Sequence, residues 1–389
     1  MSQVHATFLP TDAERAVLLG RVWRADTGGP TPVAVRRGEL VDLSAHAATM
    51  AELLDHAELA HIARHAPGAV LGSVAAVLAN ALAAEPDPAL PRLLVPCDLQ
   101  AIKACGVTFA VSLLERVIEN QAGGDATRAN ALREQLQGAL GDDLSAIRPG
   151  SQAAQRLKAE FVARGAWSPY LEVGLGPDAE VFTKAQPMSA VGFGAAVGLH
   201  PDSQWNNPEP EVVLAVNGRA EVVGATLGND VNLRDIEGRS ALLLGKAKDN
   251  NGSCAIGPFI RLFDEHFTLD TVRQAEVRLA IEGADDGFLL EGLSRMQAIS
   301  RDPLELVAHA CGAHHQYPDG FMLFLGTMFS PIQDRGAPGA GFTHRLGDRV
   351  TIASPALGAL VNTVQRSDAI APWTYGVGAL LKHLRSHQP

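Results

Sequence analysis

Two runs rich in β-branched residues, EVVLAVNG and AEVVGATLG, follow one another over residues 211–228 and meet at Asn217-Gly218. An Asn-Gly pair between two such runs favours the positive-φ turn that joins antiparallel neighbours, so the chain is expected to fold back here as a β-hairpin. No other feature constrains its path as tightly.

The residues at the open end of that hairpin are acidic. Glu209 and Glu211 lie two apart as the first run begins, so their side chains can share a face. Asp230 comes nineteen residues after Glu211, where the second run ends, and the hairpin can bring all three together. Converging carboxylates repel one another unless a cation sits among them. Oxygen-only donors suit a hard ion, Mg2+ with Mn2+ as a possible substitute, that keeps positions open for substrate. The plainer alternative is that acidic residues at strand ends are simply solvated, and spacing alone does not separate the two.

The chain has 389 residues, more than one hydrophobic core usually serves, so two domains, or one large domain with an appendage, are expected. AVLLGRVWR (16–24) and PVAVRRGELVDLS read as strands, the latter turning at Gly38. Thr49 to Ala63 has Leu53, Leu54, Leu59 and Ile62 at helical spacing. A long helical stretch from about Val111 to Leu140 is split by Gly123 and Gly124, and Ser151 to Ala163 forms another helix. The pattern changes near Ala166-Trp167-Ser168-Pro169 and is mainly β from Ala179 to Val364. These shifts give an α/β region over 1–165, with helices flanking the active site, and a second domain over 166–389. Pro303 to His314 is expected to be helical, with Asp302 as its N-cap.

A formal net charge of -11 disfavours a nucleic-acid partner. Cys97, Cys105, Cys254 and Cys311 form no CxxC pair, so neither a disulfide framework nor a zinc knuckle follows. The N-terminus does not read as a signal peptide, and apolar runs such as Leu71 to Leu82 are too short for a membrane span. A soluble, reduced, cytoplasmic protein is expected. His314-His315 has no third ligand nearby and reads as surface, while Trp205 is expected to pack beneath the acidic strand. GFGAAVG (192–198) lacks the strand–turn–helix context of a nucleotide fingerprint.

Five segments, in order across residues 179–365, resemble the fumarylacetoacetate hydrolase superfamily. NNPEPEVVLAVNG is similar to its metal-binding Glu-x-Glu strand and GATLGNDVNLRDIE to its Asp-bearing turn. LLLGKAKDNNGSCAIGP is similar to its lysine segment, FLGTMFSP to its Gly-Thr strand and RLGDRVTIASPALGALVNTV to its closing strand. The resemblance implies an α+β fold, with a mixed β-roll catalytic domain and a smaller N-terminal α/β domain. It also implies a metal on Glu209, Glu211 and Asp230, with Lys246 and Thr327 near a substrate carboxylate or oxo group. Asn232-Leu233 replaces the usual Ser-Ala of the turn, and the shorter loop to Lys246 leaves Lys248 as a competitor. Dimers or tetramers are implied as well.

Within that superfamily the upstream stretch VPCDLQAIKACGVTFAVSLLERVIE contains no histidine to act as a base. It resembles instead the corresponding part of 2-keto-3-deoxy sugar-acid dehydratases, and VFTKAQPMSAVGFGAAVGLHPDSQWNNPEPE extends the likeness. The implied reaction takes a 2-keto-3-deoxypentonate to 2,5-dioxopentanoate and water, as in non-phosphorylative pentose catabolism. Glu115 is the candidate general acid–base, with Glu119 one helical turn later as runner-up. Lys184, Thr108 and Arg234 are candidate substrate contacts, although each also suits a bracing role. The rival activities are an acylpyruvate-type C–C hydrolase and a non-catalytic sugar-acid sensor.

Overall fold

The computed structural model describes residues 8–136, 147–163, 167–329, 331–337 and 341–387. Among these the strands form two sheets. The first contains β1 (Leu18–Arg24), β2 (Gly29–Arg36), β3 (Glu39–Asp42), β4 (Val70–Ser73), β5 (Arg92–Leu94), β6 (Ala101–Gly106) and β7 (Glu180–Ala185). The second begins with β8 (Ala196–Leu199). The first sheet resumes with β9 (Pro210–Val216), β10 (Val222–Asp230) and β11 (Cys254–Leu262). β12 (Glu276–Glu282) and β13 (Leu289–Arg295) belong to the second sheet, β14 (Phe321–Phe324) to the first, and β15 (Arg349–Ser354) and β16 (Gly358–Arg366) to the second.

The larger sheet runs β4-β3-β2-β1-β11-β10-β9-β14-β6-β7, with β5 also paired to β1. The smaller runs β13-β12-β15-β16-β8. A boundary near residue 165 therefore does not separate the sheets. β1 is antiparallel to β11, and β6 is parallel to β14, so strands from both sides of that boundary share one hydrogen-bonded ladder. Residue 166 itself lies outside the described residues.

Every residue of β9 is buried, which a strand covered on both faces requires. Its alternate residues feed opposite cores. Val212, Leu214 and Val216 join the cluster that also holds Leu279, Ile352 and Leu360 of the smaller sheet. Val213 and Ala215 join the cluster built with Met50, Leu53 and Leu54 of the first half. The β9–β10 hairpin forms as expected, but the chain takes a wider turn than a two-residue link. Asn217 donates its N–H to Glu221, and Ala220 adopts φ +62°.

The expected helix over Thr49–Ala63 is two short ones, α1 (Met50–Asp55) and α2 (Leu59–His65). Thr49 caps α1, and the buried Asp98 carboxylate accepts the Met50 and Ala51 N–H groups. α3 (Val74–Ala81) follows β4. The glycine-split stretch gives α4 (Ala110–Ala122) and α5 (Ala126–Leu136), with Gly123 left-handed at φ +66°. The part of that expectation over 137–140 lies outside the described residues. The helix capped by Asp302 runs Pro303–Ala310, shorter than expected, and His314-His315 beyond it is exposed. No described helix is long and apolar enough to cross a membrane.

Candidate active site

The hairpin register delivers the acidic residues to one place. Gly228 stands opposite Glu211, and the Asp230 N–H donates to the Glu209 carbonyl at 3.1 Å. Glu209 and Glu211 leave their strand on one face, and Asp230 meets them from its neighbour. One oxygen from each of the three lies within 4.8 Å of the others. Glu211, 2% exposed, accepts the Gly326 N–H at 2.6 Å. Glycine is required there, because φ is +88° and a Cβ would lie 2.0 Å from Thr108 Oγ1. Burial, reinforced by the charges of Asp230 and Glu209, holds the Glu211 carboxyl well above the usual range.

Two buried lysines face the cluster. Lys248 Nζ lies 2.6 Å from Glu209 Oε2 and 3.1 Å from Asp230 Oδ2. Lys184 Nζ lies 2.8 Å from Asp230 Oδ1 and donates to the carbonyls of Val231 and Lys248. Burial would raise the Asp230 carboxyl, but the two ammonium groups outweigh it and hold it below its ordinary value. Arg116 of α4 bonds Glu209 at 3.0 Å and Glu119 at 2.5 Å, and pairs with Glu237 at 3.0 Å. Glu237 closes the helical turn Arg234–Glu237 and is 3% exposed. Burial, with Glu209 and Glu180 as like charges, pushes its carboxyl up to about 7 against the pull of Arg116 and Lys248. Burial also raises Glu180.

The triad, Lys248, Arg116 and Glu237 line a cavity of about 30 Å3, room for an ion and little more. Ser112, Arg116, Glu209, Glu211, Glu237, Lys248 and Thr327 are among its walls. Fully ionised, the five carboxylates Glu180, Glu209, Glu211, Asp230 and Glu237 exceed the three cations Lys184, Lys248 and Arg116 by two charges. An all-oxygen donor set with that excess fits a hard divalent cation.

The other candidates fall differently. Lys246 is surface-lying, its side chain 40% exposed and paired with Asp202 at 2.8 Å, so Lys248 holds the place proposed for it. The two lysines lie two apart around the end of the short helix Leu244–Lys248, and only the second turns inward. Glu115 does not line the cavity. Both its oxygens are taken by Arg133, at 2.8 and 2.7 Å, and Oε2 also by Arg234. Glu119 is held between Arg234 at 2.6 Å and Arg116, which outweigh its burial and keep its carboxyl low. A carboxylate so fixed does not exchange a proton near neutral pH.

Arg234 is 1% exposed, lies 4.4 Å from the Trp205 ring and bonds Glu115, Glu119 and the Pro331 carbonyl. It braces α4 against the Asp230 turn and does not line the cavity. Trp205 accordingly packs with Ile118, Ala122 and Ala129 rather than under β9. Thr108 donates to the Leu325 carbonyl at 2.7 Å and is also a bracing residue. Thr327 does line the cavity, its hydroxyl accepting the Phe329 N–H. Sequence reasoning missed Arg116, Glu180 and Glu237. Glu237 could have been found, since it sits three residues after Arg234 in the same helical turn.

Residues 176–365 match the model of the fumarylacetoacetate (FAA) hydrolase C-terminal family. Over 195 residues it is 32% identical to a "Probable 2-keto-3-deoxyxylonate dehydratase" of Haloferax volcanii, covering 50% of this chain and 63% of that protein. Over 194 residues it is 30% identical to "2-dehydro-3-deoxy-D-arabinonate dehydratase" of Saccharolobus solfataricus, covering 48% and 59%. The chain thus spans less than two thirds of these relatives. Its fold is similar to "2-keto-3-deoxy-D-arabinonate dehydratase apo form", with a TM-score of 0.63 at 20% identity, over 90% of this chain and 99% of that one. The same likeness, at a TM-score of 0.62, 20% identity and the same coverage, holds for a form "complexed with magnesium and 2,5-dioxopentanoate".

Proposed function

We propose that the chain is a magnesium-dependent hydro-lyase that converts a 2-keto-3-deoxypentonate into 2,5-dioxopentanoate and water. One observation carries the reading: the Glu209–Glu211–Asp230 triad shares a small cavity with Lys248, Arg116 and a glutamate poised near neutrality. The names of the two relatives and the magnesium and product in the similar structure support it.

Glu209, Glu211 and Asp230 would hold the ion, which when bound supplies Lewis-acid polarisation of the substrate's 2-oxo carboxylate. Arg116 and Lys248 place positive charge where a carboxylate would lie, and Thr327 offers a hydroxyl beside them. Glu237 is the general acid–base. As a carboxylate it takes a C3 proton, and as the acid so formed it gives that proton to the departing C4 hydroxyl. Loss of a C5 proton and of the C5 hydroxyl proton, matched by protonation at C3 and C4, then yields the C5 aldehyde. A pKa near neutrality lets one carboxyl do both steps.

No histidine is among the described cavity walls, so an acylpyruvate-type C–C hydrolase would have to activate its water with a glutamate. The chain's place would be non-phosphorylative pentose catabolism, as a cytoplasmic homo-oligomer. Its four free cysteines agree with a reducing compartment. The reading is tested by running the reaction in D2O with magnesium and following it by NMR. The expected product is 2,5-dioxopentanoate carrying deuterium at C3 and C4. Formation of two shorter carbon fragments would exclude the dehydratase.

A further inference from the structure

A second cleft, of about 910 Å3, shares no wall residue with the acidic cavity. Its size and mainly apolar walls are those of a small-molecule site. Part of the wall is the glycine-rich 192–195 segment, which has no nucleotide-binding context. Gly194 adopts φ +80°, and a Cβ there would lie 2.3 Å from the Ala81 carbonyl, so only glycine lets the segment lie against the end of α3.

The polar groups in this cleft are buried and unmet. Arg21 of β1 is 4% exposed, yet neither its Nε nor its Nη1 has a hydrogen-bond partner. The nearest carboxylate, Asp98, is 3.7 Å from Nη1 and already accepts the N–H groups of Met50, Ala51 and Leu99. The Tyr375 hydroxyl also lines the cleft, buried and without a partner, and the Arg21 charge acts on it. Tyr375 stands edge-on to Trp23 at 5.1 Å, and Trp373 adds a third ring. Buried donors left without acceptors are rare, because folding strips them of water without return.

We propose that this cleft is a second binding site, taking a small amphipathic monocarboxylate whose head accepts from Arg21 and Tyr375 while its apolar body lies against the rings. A planar guanidinium edge matches a carboxylate, and Asp98 behind it disfavours a dianion.

The test is a calorimetric titration of the full chain with 4-phenylbutyrate and with its neutral counterpart 4-phenylbutanamide, alongside Tyr375→Phe, Arg21→Met and Glu209→Gln. Expected is saturable one-to-one binding of the acid, about tenfold weaker for the amide and for Arg21→Met, as a lost charge-assisted hydrogen bond requires. Tyr375→Phe, which removes only an oxygen, should weaken binding severalfold and keeps the test valid if Arg21→Met does not fold. Glu209→Gln should bind as the parent does. Equal affinity for acid and amide, loss of binding in Glu209→Gln, or no binding at millimolar acid would each overturn the proposal.

Discussion

Replacing Glu237 by glutamine tests whether that carboxyl is as perturbed as its surroundings require. Its carboxyl is pushed up to about 7 in the folded protein from an ordinary 4.5, because burial and two like charges outweigh Arg116 and Lys248. The folded state therefore holds one more proton than the unfolded state between those values. Stability must then fall as pH rises through that window, by 1.36 kcal/mol per unit for one proton. Across the window this comes to roughly 3 kcal/mol, fully present below pH 4.5 and lost above pH 7. Glutamine cannot ionise, so the variant lacks this decline and gains on the parent as pH rises. The assay is urea unfolding of both proteins, freed of metal by chelation, at pH 5 and pH 8. A stability difference shifting toward the variant by about 2–3 kcal/mol is expected. Parallel behaviour at both values would refute the reasoning, because Glu237 would then titrate as an ordinary glutamate.

Lys248→Met should lower kcat/KM by about a hundredfold or more, since the ammonium faces two of the triad's carboxylates, whereas Lys246→Met should stay within about twofold. Arg234→Lys keeps the charge but not the fork that bonds Glu115, Glu119 and Pro331, so unfolding should show a loss of about 3 kcal/mol. Glu115→Gln should cost about as much stability while leaving kcat at low temperature within about tenfold, because its oxygens serve arginines rather than substrate. A hundredfold fall in kcat for that variant would restore Glu115 as the acid–base.

What could be read from the sequence was whatever a short stretch of chain determines. The Asn217-Gly218 turn and the two-residue spacing of Glu209 and Glu211 follow from strand geometry, and they brought Asp230 to the pair. The split of α4 from α5 followed from Gly123 and Gly124. The pairing of β1 with β11 and β6 with β14 was not legible, because ladders between distant segments leave no local signal. Glu115 was named and Glu237 passed over for the same reason. Helical spacing puts Glu115, Arg116 and Glu119 on neighbouring faces but does not say which faces Arg133 and Arg234 and which faces a cavity. That depends on a turn more than a hundred residues away in sequence. Lys246 and Lys248 differ only in which side of one short helix turns inward, and the motif alone left both open.

The central claim is most directly tested by mass analysis of the product formed from 2-keto-3-deoxy-D-xylonate by purified protein, chelated and then reloaded with magnesium, with Glu209→Ala run in parallel. The account predicts loss of one water to give 2,5-dioxopentanoate, only with metal and only in the parent chain. Dehydration that persists after chelation or in Glu209→Ala would contradict the metal site, and cleavage of an acylpyruvate with no dehydration would contradict the reaction.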